Sequence, residues 1–144
     1  GGEFDTSPTL RNGRIYLGDT NGSIYSISTE TIGSPPVPAD IHALSIGDGP
    51  VKGFLFPDRR NDNLIFATNS AVRSVGDPAA GFFPRWTWPI ANPSAILYWP
   101  GTNYVYVGGP NGRLYQLDFT NANTGTPRGA SGVPSGPTAI AAAA

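Results

Sequence analysis

The chain has 144 residues and a formal net charge of −1, and only 13% of its residues are charged. This balance predicts no electrostatic attraction to nucleic acids or acidic membranes. The absence of cysteine excludes disulfides, thiolate metal sites and cysteine nucleophiles. Glycine (19) and proline (15) are abundant, yet the apolar runs are short and regular, which indicates a turn-rich all-β protein. No apolar run reaches about 18 residues, so we expect no membrane span.

The first strong signal in chain order is a β-hairpin at residues 13–28, GRIYLGDTNGSIYSIS, preceded by a short strand at 4–10. Two β-branched and aromatic runs flank Asn21-Gly22, a dipeptide that tolerates the positive φ angles of a two-residue type I′ turn. Such a turn predicts the cross-strand pairs Thr20–Ser23, Gly18–Tyr25 and Tyr16–Ile27. Both faces of the hairpin are apolar, so we expect it to be sandwiched between layers.

Two further stretches repeat this hairpin. Residues 103–118, NYVYVGGPNGRLYQLD, are nearly a copy, and they predict that Tyr115 covers Gly108 and that Tyr106 pairs with Leu117. Residues 63–75, NLIFATNSAVRSV, are a more diverged copy with a shorter turn. Alignment of Ile15 with Ile65 and Val105 gives a period of roughly 40–50 residues, which is typical of β-propeller blades.

Further strands are predicted around the hairpins. Residues 41–46 would close the first blade, 51–56 and 85–90 would be the inner and outermost strands of the second, and 94–99 would open the third. A proline-rich connector at 33–38 and a polar turn at 58–63 separate them, and residues 121–137 carry no clear strand pattern.

These elements predict an all-β fold in which residues 1–144 form a single partial β-propeller. Its three four-stranded antiparallel blades would span about 4–47, 50–91 and 93–140. Propellers close with about 4–8 blades, so three blades would leave two apolar faces open. We therefore expect a protein partner, or further blades of the same protein, to cover those faces.

The repeat resembles that of the PQQ-like, or quinoprotein-type, β-propeller family. The resemblance lies in the Ser7-Pro8 strand, in the Tyr-Leu-Gly and Tyr-Val-Gly strands, in the Asn-Gly turns, in the Leu-Tyr-Gln-Leu-Asp strand that ends at Asp118, and in Gly81 followed by Trp86. It implies a bacterial protein that is extracellular or belongs to the cell envelope. The same repeat occurs in quinoprotein dehydrogenases, outer-membrane assembly scaffolds and surface adhesins, so it does not imply one activity.

The polar residues form no recognisable catalytic pattern. His42 is the only histidine, and its apolar neighbours indicate a strand residue more than a catalytic base. The acids that adjoin turns or strand ends are interpreted as turn formers: Asp19, Asp48, Asp58, Asp62, Asp77 and Asp118. Asp19-Thr20-Asn21-Gly22 matches only the opening of a calcium loop. Asn21-Gly22-Ser23 is formally a glycosylation sequon, but a tight turn explains it better.

Aromatic residues offer the remaining candidate site. Trp86, Trp88, Trp99 and Tyr98 could form a sugar-stacking platform, although packing between blades is the favoured interpretation. We therefore predict no catalytic, cofactor-binding or metal-binding residue and no cofactor. The leading hypothesis is a non-catalytic propeller segment that acts as a structural or protein-interaction module. The alternatives are a fragment of a quinoprotein-type enzyme whose active-site residues lie outside this chain, and a carbohydrate-binding surface propeller.

Overall fold

A computed structural model describes residues 2–31, 37, 40–58, 63–77, 81–118, 128–129 and 138–142. Within these ranges, thirteen strands form three antiparallel sheets that follow one another along the chain. The predicted all-β class is confirmed. Most of the proline-rich connector, of the polar turn at 58–63 and of the segment 121–137 lies outside the described residues, as does Asp62.

The first sheet has the strand order β1-β2-β3-β4. Its strands are β1 (Thr9–Arg11), β2 (Arg14–Gly18), β3 (Ser23–Ser28) and β4 (Ile41–Ser45), and a 3-10 turn at Thr29–Thr31 follows β3. The predicted outer strand at 41–46 is confirmed by the pairing of β4 with β3. The predicted strand at 4–10 is shorter than expected, because Phe4 makes only an isolated bridge to Asp19.

The second and third sheets follow the same plan, with one difference. The second has the order β5-β6-β7-β8: Lys52–Asp58, Asn63–Ala67, Ala71–Gly76 and Phe83–Pro89. The third consists of β9 (Ile96–Tyr98), β10 (Tyr104–Gly108) and β11 (Arg113–Asp118). Two further strands, β12 (Arg128–Gly129) and β13 (Thr138–Ala142), both pair with β11. The third sheet therefore branches, and it is not the simple four-stranded sheet that was predicted.

The register of the first hairpin differs by one residue from the prediction. Gly18 pairs with Ile24 and Tyr16 with Ser26, so the loop has three residues and not two. Asp19 is the cause, because its carboxylate accepts hydrogen bonds from the amides of Asn21, in the loop, and Ser23, at the start of β3. The loop is a β-turn closed by Gly22 at a φ of 80°, an arrangement that is typical of three-residue hairpins with a glycine bulge.

The hairpin of the third sheet shows the same one-residue difference. Gly108 pairs with Leu114, and Tyr106 pairs with Gln116. The expected cover of Gly108 by Tyr115 is therefore wrong, and Tyr115 lies instead against the next glycine, Gly109, where an added Cβ would be 2.5 Å from its ring. In the first sheet the cover is Val51, since a Cβ added to Gly18 would lie 2.5 Å from the Cβ of Val51.

Each sheet has two faces, which we call front and back. The front face carries Tyr16 and Gly18 in the first sheet, and the back face carries Ile15 and Leu17. The corresponding front and back pairs are Ile65/Ala67 and Leu64/Phe66 in the second sheet, and Tyr106/Gly108 and Val105/Val107 in the third. This assignment corrects the predicted alignment, because Leu64, and not Ile65, takes the position of Ile15.

The second sheet lies between the other two and separates two apolar cores. The first core joins the front face of the first sheet to the back face of the second: Tyr16, Ile24, Val51, Leu55, Leu64, Phe66 and Val75. The second joins the front face of the second sheet to the back face of the third: Ile65, Ala67, Val72, Trp86, Ile90, Ile96, Tyr98, Val105, Val107 and Leu117. The expected sandwiching thus holds for the middle hairpin, in which every residue of β6 is buried. It does not hold for the first and third hairpins in this chain.

Candidate interaction surfaces and a polar cluster between sheets

Asp19 organises the first hairpin loop from a buried position. Its Oδ1 accepts hydrogen bonds from the amides of Asn21 (3.0 Å) and Ser23 (2.7 Å), and its Oδ2 accepts from the Gly2 amide and the Tyr25 hydroxyl, both at 3.2 Å. Burial alone would raise the pKa of Asp19, but the hydrogen bonds from Ser23, Gly2, Tyr25 and Asn21 together lower it. The carboxylate thus caps a turn, as expected, and its oxygens are aimed at N–H and O–H donors and not at a cation.

A second buried carboxylate, Asp77, joins the first two sheets. It follows β7, and its side chain is 3% exposed. Oδ1 lies 2.6 Å from Nδ1 of His42, and Oδ2 accepts a 2.7 Å hydrogen bond from the Ser26 hydroxyl. Arg14 completes the cluster, with its Nε 3.4 Å from Oδ2 of Asp77 and a further hydrogen bond to the Ser26 hydroxyl.

Tyr16 borders the same cluster. Burial, then the negative charge of Asp77 and a hydrogen bond to it, raise the pKa of Tyr16 to about 12. The phenol therefore stays protonated over the whole physiological range. Since Phe82 also packs on the rings of Tyr16 and His42, the cluster is closed by side chains of the second sheet.

The cluster contains serine, histidine and aspartate, but it is not a nucleophile triad. In a triad the hydroxyl donates to the histidine and the carboxylate holds the far side of the ring. Here the Ser26 hydroxyl and the His42 ring both contact the same carboxylate, so no base faces the hydroxyl. The arrangement is a clamp between sheets, in agreement with the structural interpretation of His42.

A second ion pair joins the two sheets near the other end of β7. Arg73 Nε donates to Oδ2 of Asp48 over 2.6 Å, and the Thr68 hydroxyl donates to the same oxygen over 3.1 Å. Asp48 follows β4 of the first sheet, while Arg73 and Thr68 belong to the second. The apolar core between these sheets is thus flanked by two carboxylates, one from each sheet.

The four aromatic residues considered as a sugar platform do not share one surface. Trp86 and Tyr98 are buried in the core between the second and third sheets. Trp88 is half-buried against Tyr115, with ring centroids 5.7 Å apart, and only Trp99 is largely exposed. Packing between sheets therefore accounts for most of this set.

The outer face of the third sheet is an open apolar surface, and we name it the free front face. Leu97, Trp99 and Leu114 are 59%, 60% and 37% exposed on it. With Tyr106, Gly108 and residues 94–96 they line a groove of about 340 Å³ whose walls are almost entirely apolar. Exposed apolar patches of this kind mark binding surfaces.

The outer face of the first sheet, the free back face, is also apolar. One row of aliphatic residues crosses all four strands in register: Leu10, Ile15, Ile27 and Ile41. Leu10 is 69% exposed and Ile41 is 37% exposed. The neighbouring row holds Leu17, Tyr25 and Ala43, and Phe4 packs edge-on against Tyr25. Neither row contains a charged residue.

Sequence reasoning anticipated open apolar faces but missed the polar cluster. The available signal was the alternation within strands, because Ser26 and His42 occupy strand positions that share a face with buried apolar residues. A buried polar side chain requires a partner, and Asp77 at the end of the next sheet supplies it.

Neither a metal-binding cluster nor a membrane-spanning helix is found in the part of the chain that the structure describes. No group of three acidic or histidine side chains there could hold a metal ion. No helix among the described residues is long and apolar enough to cross a membrane.

Comparison of the chain with protein-family models and with curated proteins finds no match.

Proposed function

We propose that this chain is a segment of a β-propeller that acts as a structural or protein-interaction module through its two free faces. The main support for this proposal is that the sheets pack on one another in the same direction at both interfaces. The front face of the first sheet meets the back face of the second, and the front face of the second meets the back face of the third. Propeller blades pack in this way, each on its neighbour in the same sense, which leaves one front face and one back face open in a partial ring.

The contacts of the first strands support the same proposal. β1 of the first sheet contacts β5 of the second, and β5 contacts β9 of the third. The first strand of each sheet therefore lines one side of the assembly, as the inner strands of propeller blades line a central channel.

The proposed role of the chain is non-catalytic. Asp77, His42 and Ser26 are bound to one another inside an interface, and Asp19 is saturated by donors of its own loop. A place in an extracellular or cell-envelope assembly is proposed from the resemblance of the repeat to PQQ-like propellers. An intact protein that carries quinone absorbance would instead favour a quinoprotein-type enzyme.

Binding of an apolar dye to the dilute chain tests whether the free faces are open. We expect anilinonaphthalene sulfonate to fluoresce with the wild type and less with Leu97→Asp and Leu10→Asp, one on each free face. Val37→Asp is the matched control, because Val37 is 56% exposed but belongs to no strand of either sheet. Circular dichroism checks that each variant is folded.

A folded monomer that binds no dye at these faces would contradict the proposal, because other parts of the chain would then cover them. Equal loss of dye binding in Val37→Asp and Leu97→Asp would also contradict it.

A further inference from the structure

We propose that the free front face of one chain binds the free back face of a second copy, and that two copies close head to tail into a ring of six sheets. This inference rests on the proposed function and names the partner of its two faces. The partner is a second molecule of this same chain, and the ring uses both free faces of both copies.

Each interface between sheets within the chain is already a front-to-back contact. The back faces of the second and third sheets cover the front faces that precede them. The free back face of the first sheet carries apolar residues at the central positions of these covering faces: Ile15 matches Leu64 and Val105, and Leu17 matches Phe66 and Val107. The chain therefore carries its own complement for the groove on the third sheet.

The groove resembles the covered front face of the first sheet in having a glycine at its centre. Gly108 takes the position of Gly18, where the absence of a side chain admits Val51 from the next sheet. Among the described residues, only Ser94 of the same region of the chain lies near Gly108, with its hydroxyl 3.1 Å from an added Cβ; no neighbouring sheet covers this glycine, which lines the 340 Å³ groove. A covering sheet could approach there as closely as the second sheet approaches the first.

Charge does not oppose this contact. The two rows of the free back face contain no charged side chain, and the groove residues are all uncharged. Burial of apolar area would therefore drive association without the desolvation of an unpaired ion.

The number of sheets is compatible with closure. A front-to-back contact between copies is heterologous, so it gives either a closed ring or an open filament. Two chains of three sheets supply six, which lies within the range of about 4–8 blades found in closed propellers. Closure at two copies leaves neither free face exposed.

The test uses the absence of cysteine from the chain. Because β1 contacts β5 and β5 contacts β9, β9 of one copy should contact β1 of the other. Leu97→Cys in β9 and Leu10→Cys in β1 are therefore prepared separately, one with an affinity tag. They are mixed, treated with a short bismaleimide and separated by mass. We expect a covalent tagged–untagged pair in the mixture and little cross-linking in either variant alone.

Light scattering on the untreated wild type should give twice the 15.1 kDa chain mass. Leu97→Asp should abolish that dimer, and Val37→Asp should retain it. The Leu97→Cys/Leu10→Cys double variant should be trapped as a dimer carrying two cross-links.

Several results would overturn the ring. Cross-links within Leu97→Cys alone or Leu10→Cys alone would mean that like faces meet, and masses well beyond two chains would mean an open filament. In both cases the free faces still bind protein, so the proposed function survives. A monomer that binds the apolar dye at both faces also overturns the ring but leaves the faces to a different partner. A monomer that binds no dye would overturn both proposals.

Discussion

At the scale of single residues, Asp19 has the largest influence on local structure. An Asn-Gly dipeptide alone favours a two-residue turn, but the carboxylate two positions before the asparagine bonds the Asn21 and Ser23 amides and stabilises a three-residue loop. The resulting shift of one position exchanges which residues of β3 face the core. A single side chain therefore decides that Ile24 is buried and that Tyr25 is not.

Replacement of Asp19 by asparagine tests this role. Asp19→Asn should lower the free energy of unfolding at neutral pH by about 1–3 kcal/mol. The amide keeps one acceptor oxygen, but its NH2 group replaces the other, so donors that faced that oxygen lose their acceptor. The folded-state pKa is lower than the unfolded value of about 3.9, so the stabilisation is present above that value and is lost as the pH falls through the folded-state pKa. Denaturant unfolding of both proteins across this range should give curves that converge in acid.

The matched control is Asp5→Asn, which changes an exposed acid of the same segment and should alter stability by no more than about 0.5 kcal/mol. A constant difference between wild type and Asp19→Asn at every pH would contradict the assigned hydrogen bonding.

At the scale of strands and sheets, alternation and turn residues predicted most of the elements. The three hairpins and the outer strands β4 and β8 lie where the β-branched and aromatic runs placed them. Register could not be predicted as well, because both faces of the hairpin at 13–28 are apolar and the pattern is nearly unchanged by a shift of one residue. The branching of the third sheet was also unpredictable, since residues 121–137 lack a strand pattern.

The polar contacts between sheets could not be predicted because they join residues far apart in sequence. Ser26 and Asp77 are separated by 51 positions, and His42 and Asp77 by 35. Each of these residues has a plausible local role as a turn or strand residue. Only the packing of one sheet on the next brings them together.

The two carboxylates that flank this interface should differ in their contribution to stability. Asp77→Ala removes the shared partner of Arg14, His42 and Ser26, whose side chains are largely buried. It should lower the free energy of unfolding by about 3 kcal/mol. Asp48→Ala should cost only about 1 kcal/mol, because Arg73 is 24% exposed and keeps its bond to Thr87. Chemical denaturation of the two variants measures both effects. A larger loss in Asp48→Ala would contradict the view of Asp77 as the main polar clamp.

At the scale of the whole molecule, the three sheets correspond in the direction in which their faces pack more than in their residue types. The predicted alignment matched Ile15 to Ile65 because the residue types agree. The sheets are related instead by which side points to the next sheet, and this criterion aligns Gly18, Ala67 and Gly108. Small residues at that position allow close approach between neighbouring sheets. The sequence alone could not reveal this, because the choice depends on the direction in which each sheet packs.

Gly18 and Gly108 take equivalent positions, but the next sheet covers Gly18 and no neighbouring sheet covers Gly108. A Cβ on Gly18 would lie 2.5 Å from the Cβ of Val51, so Gly18→Ala must push the first two sheets apart and should cost about 1–3 kcal/mol.

A Cβ on Gly108 would lie 3.1 Å from the Ser94 hydroxyl, which accepts a hydrogen bond from the Gly108 amide. Gly108→Ala therefore strains one local contact and should lower the free energy of unfolding of the dilute chain by about 1 kcal/mol or less. Denaturant unfolding at low protein concentration compares the two. If copies close as proposed, Gly108→Ala will weaken their association while leaving the folding of each chain intact, whereas Gly18→Ala will destabilise the chain itself. Equal losses of folding stability would mean that the third sheet is already covered within the single chain.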